Sequence, residues 1–215
     1  MTDPELVRYY KERAKEYDDL YIRPDRQEAL NEASEILKNI FAGKEVYEIA
    51  CGTGYWTEQI AKTAKSILAT DINDEMLDIA KRRNYFPAPV KFEKRDLYAP
   101  PDAQHESLFG GFFWSHILLQ DRAAFMETIN RNVIPGGTVV FMDNLYVEGS
   151  NLPVTETDAQ GNTYQTRTLG NGQQHKVLKN FPNEDDLRKA LAGKARDVKF
   201  TALPYYWILE YKTGK

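Results

Sequence analysis

The sequence predicts an α/β fold with a doubly wound, mostly parallel seven-stranded sheet. Short apolar segments rich in strand-forming residues alternate with segments whose apolar residues recur every three or four positions. This alternation is typical of parallel strands joined by right-handed helical crossovers. Near the end of the chain, two strand candidates are separated only by Leu203-Pro204, a connection short enough to require antiparallel pairing. We therefore expect an antiparallel C-terminal strand.

The individual elements follow from local patterns along the chain. Leu30, Ala33, Leu37 and Phe41 share one helical face, and Gly43 follows as a helix terminator. The same reasoning predicts strands at 46–50, 67–70, 90–95, 110–115, 138–142, 197–202 and 205–211, and helices at 25–41, from Trp56 to about Ala64, from Asn73 onward, at 121–132 and at 183–191.

The segment 144–180 departs from this alternation. Polar residues dominate it, and two alternating stretches flank Gly170-Asn171-Gly172, a sequence suited to a tight hairpin turn. We interpret this segment as an inserted β-hairpin lid on a single domain that spans residues 1–215, because 215 residues are typical of one domain with an added lid.

Composition excludes several classes of partner. The formal net charge is −4 and the pI about 5.5, so we expect no attraction to nucleic acid or to an anionic membrane surface. No apolar run reaches the length of a membrane span, and the first residues lack the basic and apolar pattern of a signal peptide. Cys51 is the single cysteine, and no metal-binding motif is present. These features favour a cytoplasmic protein without a metal.

The chemistry-bearing motif is Glu48-Ile49-Ala50-Cys51-Gly52-Thr53-Gly54, between a predicted strand and a predicted helix. Glycines at such a turn let a ligand approach the backbone, and the helix that follows offers unpaired N–H donors. A tight strand-to-helix turn without a ligand is the alternative interpretation. Asp71, 19 residues after Gly52, ends the next predicted strand, where an acidic side chain can accept hydrogen bonds from a ribose.

Two details distinguish between possible nucleotide cofactors. Thr57 occupies the third glycine position of a dinucleotide-binding loop, so the close helix packing that a pyrophosphate needs is not provided. The carboxylate of Glu48 would repel a pyrophosphate but attract the ammonium of an amino acid group. The pattern therefore favours S-adenosylmethionine over a nicotinamide dinucleotide.

These motifs resemble the class I (Rossmann-like) S-adenosylmethionine-dependent methyltransferase family, small-molecule type, over roughly residues 5–145. The likeness extends to Arg95-Asp96-Leu97, Phe113-Trp114-Ser115-His116 and Pro135-Gly136-Gly137, whereas Ala50 stands where many members have glycine. The resemblance implies S-adenosyl-L-methionine as cofactor and S-adenosyl-L-homocysteine as product. The cofactor-binding residues that it implies are Glu48, Ala50, Gly52, Thr53, Gly54, Trp56, Asp71, Ile72, Met76, Asp96, Leu97, Trp114 and Ser115. Trp114 fits a core position equally well.

The N-terminal segment 1–24 resembles the cap helix of the family's small-molecule members. Tyr10, Ala14, Tyr17 and Tyr21 share a face at helical spacing, so the three tyrosines are further candidates for cofactor binding. Their rings would stabilise a sulfonium through cation–π contacts of about 0.5 to 2 kcal/mol each. An ordinary amphipathic helix packed on the core explains the same pattern.

His116 is the candidate catalytic residue. It follows the fourth predicted strand beside the expected position of the methyl group, where it could deprotonate a hydroxyl or amine. A histidine that packs at a strand end is the alternative. His105 and His175 fall in the predicted loop and lid, so we expect both at the surface.

We therefore expect methyl transfer to an oxygen, nitrogen or carbon nucleophile of a small-molecule metabolite, by a monomer or homodimer. Phe113-Trp114-Ser115-His116 replaces the Asn/Asp-Pro-Pro-aromatic tetrad of members that methylate nucleobases, which argues against nucleic acid as substrate. The alternatives are a cofactor-binding or interaction module without turnover and, less favoured, an NAD(P)-dependent oxidoreductase.

Overall fold

A computed structural model describes residues 3–214 and contains a seven-stranded sheet. Its strands are β1 (Glu45–Ile49), β2 (Ser66–Asp71), β3 (Val90–Lys94), β4 (His105–Gly111), β5 (Val133–Asn144), β9 (Ala195–Ala202) and β10 (Tyr206–Thr213). They lie in the order β3-β2-β1-β4-β5-β10-β9. Strands β1 to β5 are parallel to one another, and β10 is antiparallel to both β5 and β9. The predicted mostly parallel sheet with an antiparallel C-terminal strand is therefore confirmed.

Helices cover both faces of the sheet, because successive side chains of each central strand point to opposite faces. Val46 belongs to a cluster with α2 and α3, whereas its neighbour Tyr47 belongs to a cluster with α5 and α6. The helices are α1 (Pro4–Arg13), α2 (Gln27–Phe41), α3 (Tyr55–Ile60), α4 (Asp74–Ala80), α5 (Arg122–Arg131) and α6 (Glu184–Leu191). Within residues 3–214, no helix has the length and apolar character needed to cross a membrane.

The predicted lid is a separate small sheet. Strands β6 (Glu156–Thr157), β7 (Thr163–Thr168) and β8 (Gln174–Leu178) pair antiparallel in that order, and Gly172, with φ of 84°, lies in the turn between β7 and β8. A third small cluster joins this sheet to the cap, since Leu169 and Val177 pack against Tyr9 of α1.

The fourth strand lies earlier than the sequence pattern predicted. The prediction was 110–115, but β4 ends at Gly111 because Phe112 has a φ of 57°, which no strand residue adopts. Residues Trp114–His116 then form a short 3₁₀ helix. The apolar run after Gly111 was therefore assigned to the wrong element, although it is buried as a strand would be.

The N-terminal cap is present, but it is not one continuous α-helix. Helix α1 ends at Arg13, and Ala14–Leu20 continues as a 3₁₀ helix. A 3₁₀ helix has three residues per turn, so the face expected to carry Tyr10, Tyr17 and Tyr21 is rotated toward its end. Tyr21 stacks on Tyr55 with ring centroids 3.8 Å apart.

We predict that Ile129→Ala lowers the free energy of unfolding by about 2 to 5 kcal/mol, because Ile129 is fully buried between α5 and the sheet and truncation leaves a cavity. Urea denaturation measures the change. Ile22→Ala is the matched control, since Ile22 is 73% exposed, and we expect it to stay within about 0.5 kcal/mol of the parent protein. An equal loss in both variants would contradict the assigned core.

Candidate active site

The loop after β1 is built from backbone conformations that most residues avoid. Ala50, Gly52 and Gly54 have φ values of 49°, 57° and 78°. Glycine adopts these values freely, whereas alanine at Ala50 carries a steric cost. A side chain at Gly54 would clash with the Tyr85 hydroxyl, and its Cβ would lie 3.0 Å from the Cβ of Ala80.

Asp71 fixes this loop from the end of β2. Its Oδ2 accepts a hydrogen bond of 2.9 Å from the Gly52 backbone N–H, and its Oδ1 accepts one of 2.9 Å from Asn73. Burial raises the pKa of the carboxyl group, while these two donors act in the opposite direction. Each carboxylate oxygen can accept more than one hydrogen bond, so Asp71 retains acceptor capacity toward a ligand.

The loop and Asp71 border a small cavity of about 80 Å³. The cap helix forms the opposite wall, where the Asn73 side chain donates a hydrogen bond of 3.2 Å to the Val7 carbonyl instead of capping α4. Of the sequence-predicted residues, the cavity brings together Tyr10, Tyr17, Ala50, Gly52, Asp71, Ile72, Met76 and His116; it is also lined by Leu6, Val7, Asn73, Gly111, Phe112 and Phe113, which were not predicted.

Glu48 does not line this cavity but lies close behind the loop. Its side chain is buried, and its Oε2 has no hydrogen-bond partner within residues 3–214. Burial, together with the nearby negative charge of Asp71, raises the pKa of Glu48 to about 8. A buried carboxyl oxygen without a donor is suited to receive one from a ligand.

The remaining predicted residues lie outside the small cavity. Thr53 donates to Asp18 of the cap and Trp56 packs against Tyr21, while Gly54 is the N-cap residue that precedes α3. Asp96 accepts from the Tyr98 backbone at the end of β3. Leu97 packs on the core cluster that surrounds α5 and α6.

Trp114 occupies a core position rather than a cavity wall. It is fully buried, and its ring centroid lies 5.0 Å from that of Phe141 and 5.7 Å from that of Phe125. The sequence left Trp114 open as a cofactor contact or a core residue, and its packing in the structure supports the core position. Ser115, next to it, is buried and hydrogen-bonded to Lys179 and Asp143.

His116 lies between the lid and the cap. Its Nδ1 is 2.6 Å from the Leu178 carbonyl oxygen, which can only accept, so Nδ1 carries the proton. Its Nε2 is therefore the acceptor for the Tyr10 hydroxyl, 2.6 Å away. Burial and the positive charges of Lys179 and Arg167 hold the pKa of His116 well below its usual value. The imidazole is thus neutral, with its basic nitrogen directed at the cap.

A larger cavity of about 310 Å³ lies beside the small one. The two share a wall made of Tyr10, Tyr17, Phe112 and His116. Arg13, Arg167 and Lys179 line the larger cavity from the cap and the lid, and Tyr21 borders this cavity rather than the small one.

Lys179 and Asp143 form a buried ion pair with N···O of 2.8 Å. The Asp143 carboxylate also accepts from the Ser115 backbone at 2.9 Å, and Lys179 donates to Ser115 Oγ at 2.6 Å. These contacts hold the turn that carries His116. Sequence reasoning missed both residues, because no local spacing relates position 179 to position 143.

His175 also differs from its prediction. It is buried rather than on the surface, since its ring packs 5.2 Å from Tyr9 and its Nε2 lies 3.1 Å from a Glu12 carboxylate oxygen. This contact ties the lid to the cap. His105 is half-buried and stacks on Tyr47 with centroids 4.3 Å apart.

The glycine loop, the acidic residue that ends β2 and the order of the sheet define the Rossmann-like methyltransferase class. A sequence profile described as "Methyltransferase domain" matches residues 46–137, which include the loop and Asp71. No curated protein matches the chain in sequence.

Solved structures agree with this class. The chain is similar to DhpI in its complex with SAH, at 28% identity and a TM-score of 0.80 over 98% of this chain and 96% of that one. A DhpI complex with SAM and HEP gives 27% identity and a TM-score of 0.79 over 98% and 99%. N-methyltransferase NodS from Bradyrhizobium japonicum, in complex with SAH, shares the fold at 13% identity and a TM-score of 0.66 over 98% and 100%. The chain therefore has the Rossmann-like fold of these methyltransferases, and the methyltransferase profile matches the part of the chain that carries the glycine loop and Asp71.

The residues present fit S-adenosylmethionine as the cofactor. Asp71 has free acceptor capacity for ribose hydroxyl groups, and Glu48 has an unpartnered buried oxygen near the loop. Ala50 and Gly52 leave the backbone accessible from the small cavity, and Tyr17 closes over it, 3.8 Å from where a Cβ of Gly52 would lie. Within residues 3–214, no group of three metal-ligating side chains occurs.

We predict that Asp71→Ala weakens S-adenosylhomocysteine binding by about 1 to 3 kcal/mol, because charged hydrogen bonds to the ribose are lost. Isothermal titration calorimetry measures the affinity. Asp74→Ala is the control, since Asp74 begins the adjacent helix with an exposed side chain that pairs with Lys94. Unchanged affinity in Asp71→Ala would count against the ribose contact.

We predict that Glu48 destabilises the cofactor-free protein increasingly as the pH rises from about 5 to about 8. The pKa of Glu48 is about 8 in the folded chain and 4.5 when unperturbed, so through this group the folded state binds more protons than the unfolded state in this range. The lowered pKa of His116 acts in the opposite direction in both proteins, so the prediction concerns the difference between variant and parent. The slope of stability against pH, measured by urea denaturation at a series of pH values, should be more positive in Glu48→Gln than in the parent. Glu45→Gln, on the same strand but exposed, should leave it unchanged. Parallel slopes in Glu48→Gln and the parent would refute the assignment.

Proposed function

We propose that the protein transfers the methyl group of S-adenosylmethionine to an oxygen or nitrogen nucleophile of a small molecule bound in the larger cavity. The observation that carries this proposal is His116, whose unprotonated Nε2 lies in the wall between the two cavities. A group in that wall can contact both the methyl donor side and the acceptor side.

The cavity dimensions support a small acceptor. A volume of about 310 Å³ lies at the lower end of the range, roughly 300 to 1,000 Å³, that is typical of small-molecule sites. Residues of both the cap and the lid line this cavity. DhpI, to which the chain is similar over nearly its whole length, has been solved with SAM together with HEP.

When bound, the cofactor would supply an electrophilic methyl group on a sulfonium and would leave as S-adenosylhomocysteine. His116 Nε2 would receive the proton of the acceptor hydroxyl or amine as the methyl group passes to the acceptor atom. The chain contributes mainly by alignment and by exclusion of water. Leu178 holds the ring in the correct tautomer, and Tyr10 occupies Nε2 until the acceptor hydroxyl or amine replaces it.

The low pKa of His116 determines the protonation state in which it acts. Its pKa is held well below 6.5 by burial and by the cations beside it, so the base form is present throughout neutral pH. A carbon nucleophile remains compatible with the cavities, but it gains less from the geometry of Nε2.

The experiment supplies methyl-labelled S-adenosylmethionine and pools of metabolites, with mass spectrometry to detect labelled product. We expect a labelled product with the parent protein and a loss of turnover of about 10²- to 10⁴-fold in His116→Ala, with S-adenosylhomocysteine affinity retained. His105→Ala is the matched control, because His105 lies at the far end of β4.

Two results would contradict the proposal. A protein that binds the cofactor but labels nothing in any pool would be a binding module without turnover. If His116→Ala retains the turnover of the parent protein, His116 has a packing role instead.

A further inference from the structure

We propose that the methyl acceptor is an acid, and that its oxyanion group binds in the larger cavity between the guanidinium groups of Arg13 and Arg167 and the ammonium of Lys179. The shared chemistry is that of a carboxylate, phosphate or sulfonate. This inference rests on the proposed function, since it names the class of molecule that the same site methylates.

The charge of the cavity is opposite to that of the chain. The protein carries a net charge of −4, yet five cationic side chains line this cavity against two acidic ones, Glu16 and Asp19. Asp19 is exposed, and Glu16 directs its carboxylate at the backbone N–H of Gly170. Two further lining cations, Arg23 and Arg26, already pair with Asp25.

Arg13 and Arg167 have no carboxylate within 4.0 Å in the part of the chain that the structure describes. Arg13 donates one hydrogen bond, to the Tyr9 hydroxyl, and Arg167 donates two, both to Gln165 Oε1. A guanidinium has five N–H donors, so each group keeps donors for a ligand. Their fork geometry matches oxyanions.

Both guanidinium groups lie over the same ring. The Cζ atoms of Arg13 and Arg167 are each 5.7 Å from the centroid of Tyr9. Both groups line the same cavity without a carboxylate partner, so their positive charges are uncompensated there. An anion bound in the cavity would compensate them, whereas a neutral ligand would not.

Lys179 adds an ammonium donor to the two guanidinium groups. Lys179 lines the cavity, and its partner Asp143, which compensates its charge, is fully buried. Burial lowers the pKa of Lys179, and the positive charges of Arg167 and Arg13 act in the same direction, against the negative charge of Asp143. Lys179 therefore lies close enough to both guanidinium groups to be affected by their charge, and the charges of Lys179 and Arg167 also act on His116.

The position of this cluster matches the reaction geometry. Arg13 follows Tyr10 by three residues on the same helix, and Lys179 follows Leu178, whose carbonyl orients His116. An acceptor anchored by its acidic group would thus be held beside the wall shared by the two cavities. Its nucleophilic hydroxyl or amine, close to the anchored group but not part of it, would then reach Nε2.

The binding experiment saturates the protein with S-adenosylhomocysteine, so that the cofactor's own carboxylate site is filled, and then titrates inorganic phosphate by calorimetry. We expect phosphate to bind and Arg167→Gln and Arg13→Gln each to weaken it at least tenfold. Arg8→Gln is the matched control on the same helix, since Arg8 is exposed and borders neither cavity. Titration with acetate distinguishes a carboxylate site from one for tetrahedral oxyanions.

The charge-conserving variants Arg167→Lys and Arg13→Lys should recover part of the phosphate affinity. If a glutamine variant fails to fold, as judged by loss of S-adenosylhomocysteine binding, the lysine variant and the parent still decide the question. Absence of binding by both phosphate and acetate in the parent would overturn the proposal, as would equal affinity in the glutamine variants and the control.

Turnover provides an independent test. Anion-exchange separation of the metabolite pools before labelling should place the labelled product among the compounds retained at neutral pH. A labelled product found only in the unretained pool would overturn the acidic acceptor while leaving methyl transfer intact. Anion binding without any labelled product would support the site but refute the proposed function.

Discussion

The hydrogen bond from His116 Nδ1 to the Leu178 carbonyl is the contact on which the site geometry depends. It joins the turn after β4 to the last strand of the lid, two segments separated by 62 residues. Because the carbonyl accepts a hydrogen bond from the Nδ1–H group, the basic lone pair has to lie on Nε2, on the side of the cap. The cap then completes the arrangement through the Tyr10 hydroxyl.

The buried ion pair of Lys179 and Asp143 supports this contact. Burying two charges is costly unless their geometry and hydrogen bonds compensate for lost hydration. Here Asp143, at the end of β5, also accepts from the Ser115 backbone, while Lys179 donates to the Ser115 hydroxyl. The Asn180 backbone then donates to the Ser115 carbonyl at 2.8 Å. The pair therefore secures one turn of backbone in place, and that turn carries the histidine.

Local chemistry explains what the sequence could predict. The order of strands and helices follows from hydrophobic periodicity, and the glycine loop follows from backbone conformations that only a few residues tolerate. Asp71 was predictable because the end of a parallel strand next to that loop has a fixed place in such sheets. Ala50 adopts the same left-handed conformation as its glycine neighbours, so the loop conformation tolerates this replacement.

Features that depend on contacts distant in sequence were not predictable. Phe112 ends β4 through a left-handed residue that carries no glycine signal, which displaced the predicted strand. Trp114 fits a ligand wall and a core equally well by pattern, and only packing against Phe125 and Phe141 distinguishes the two. Arg167 and Lys179 lie in a polar lid where the sequence gives no periodicity, so their convergence on the cavity appears only in three dimensions.

The cap helix α1 borders both the small cavity and the larger cavity. Leu6 and Val7 face the smaller one, Tyr9 and Arg13 the larger, and Tyr10 stands in both. Helix α1, with its ten residues, thus forms part of the wall of both cavities. Displacement of α1 would open both cavities at the same time. The demethylated cofactor and the methylated product would then leave in one step rather than by separate routes.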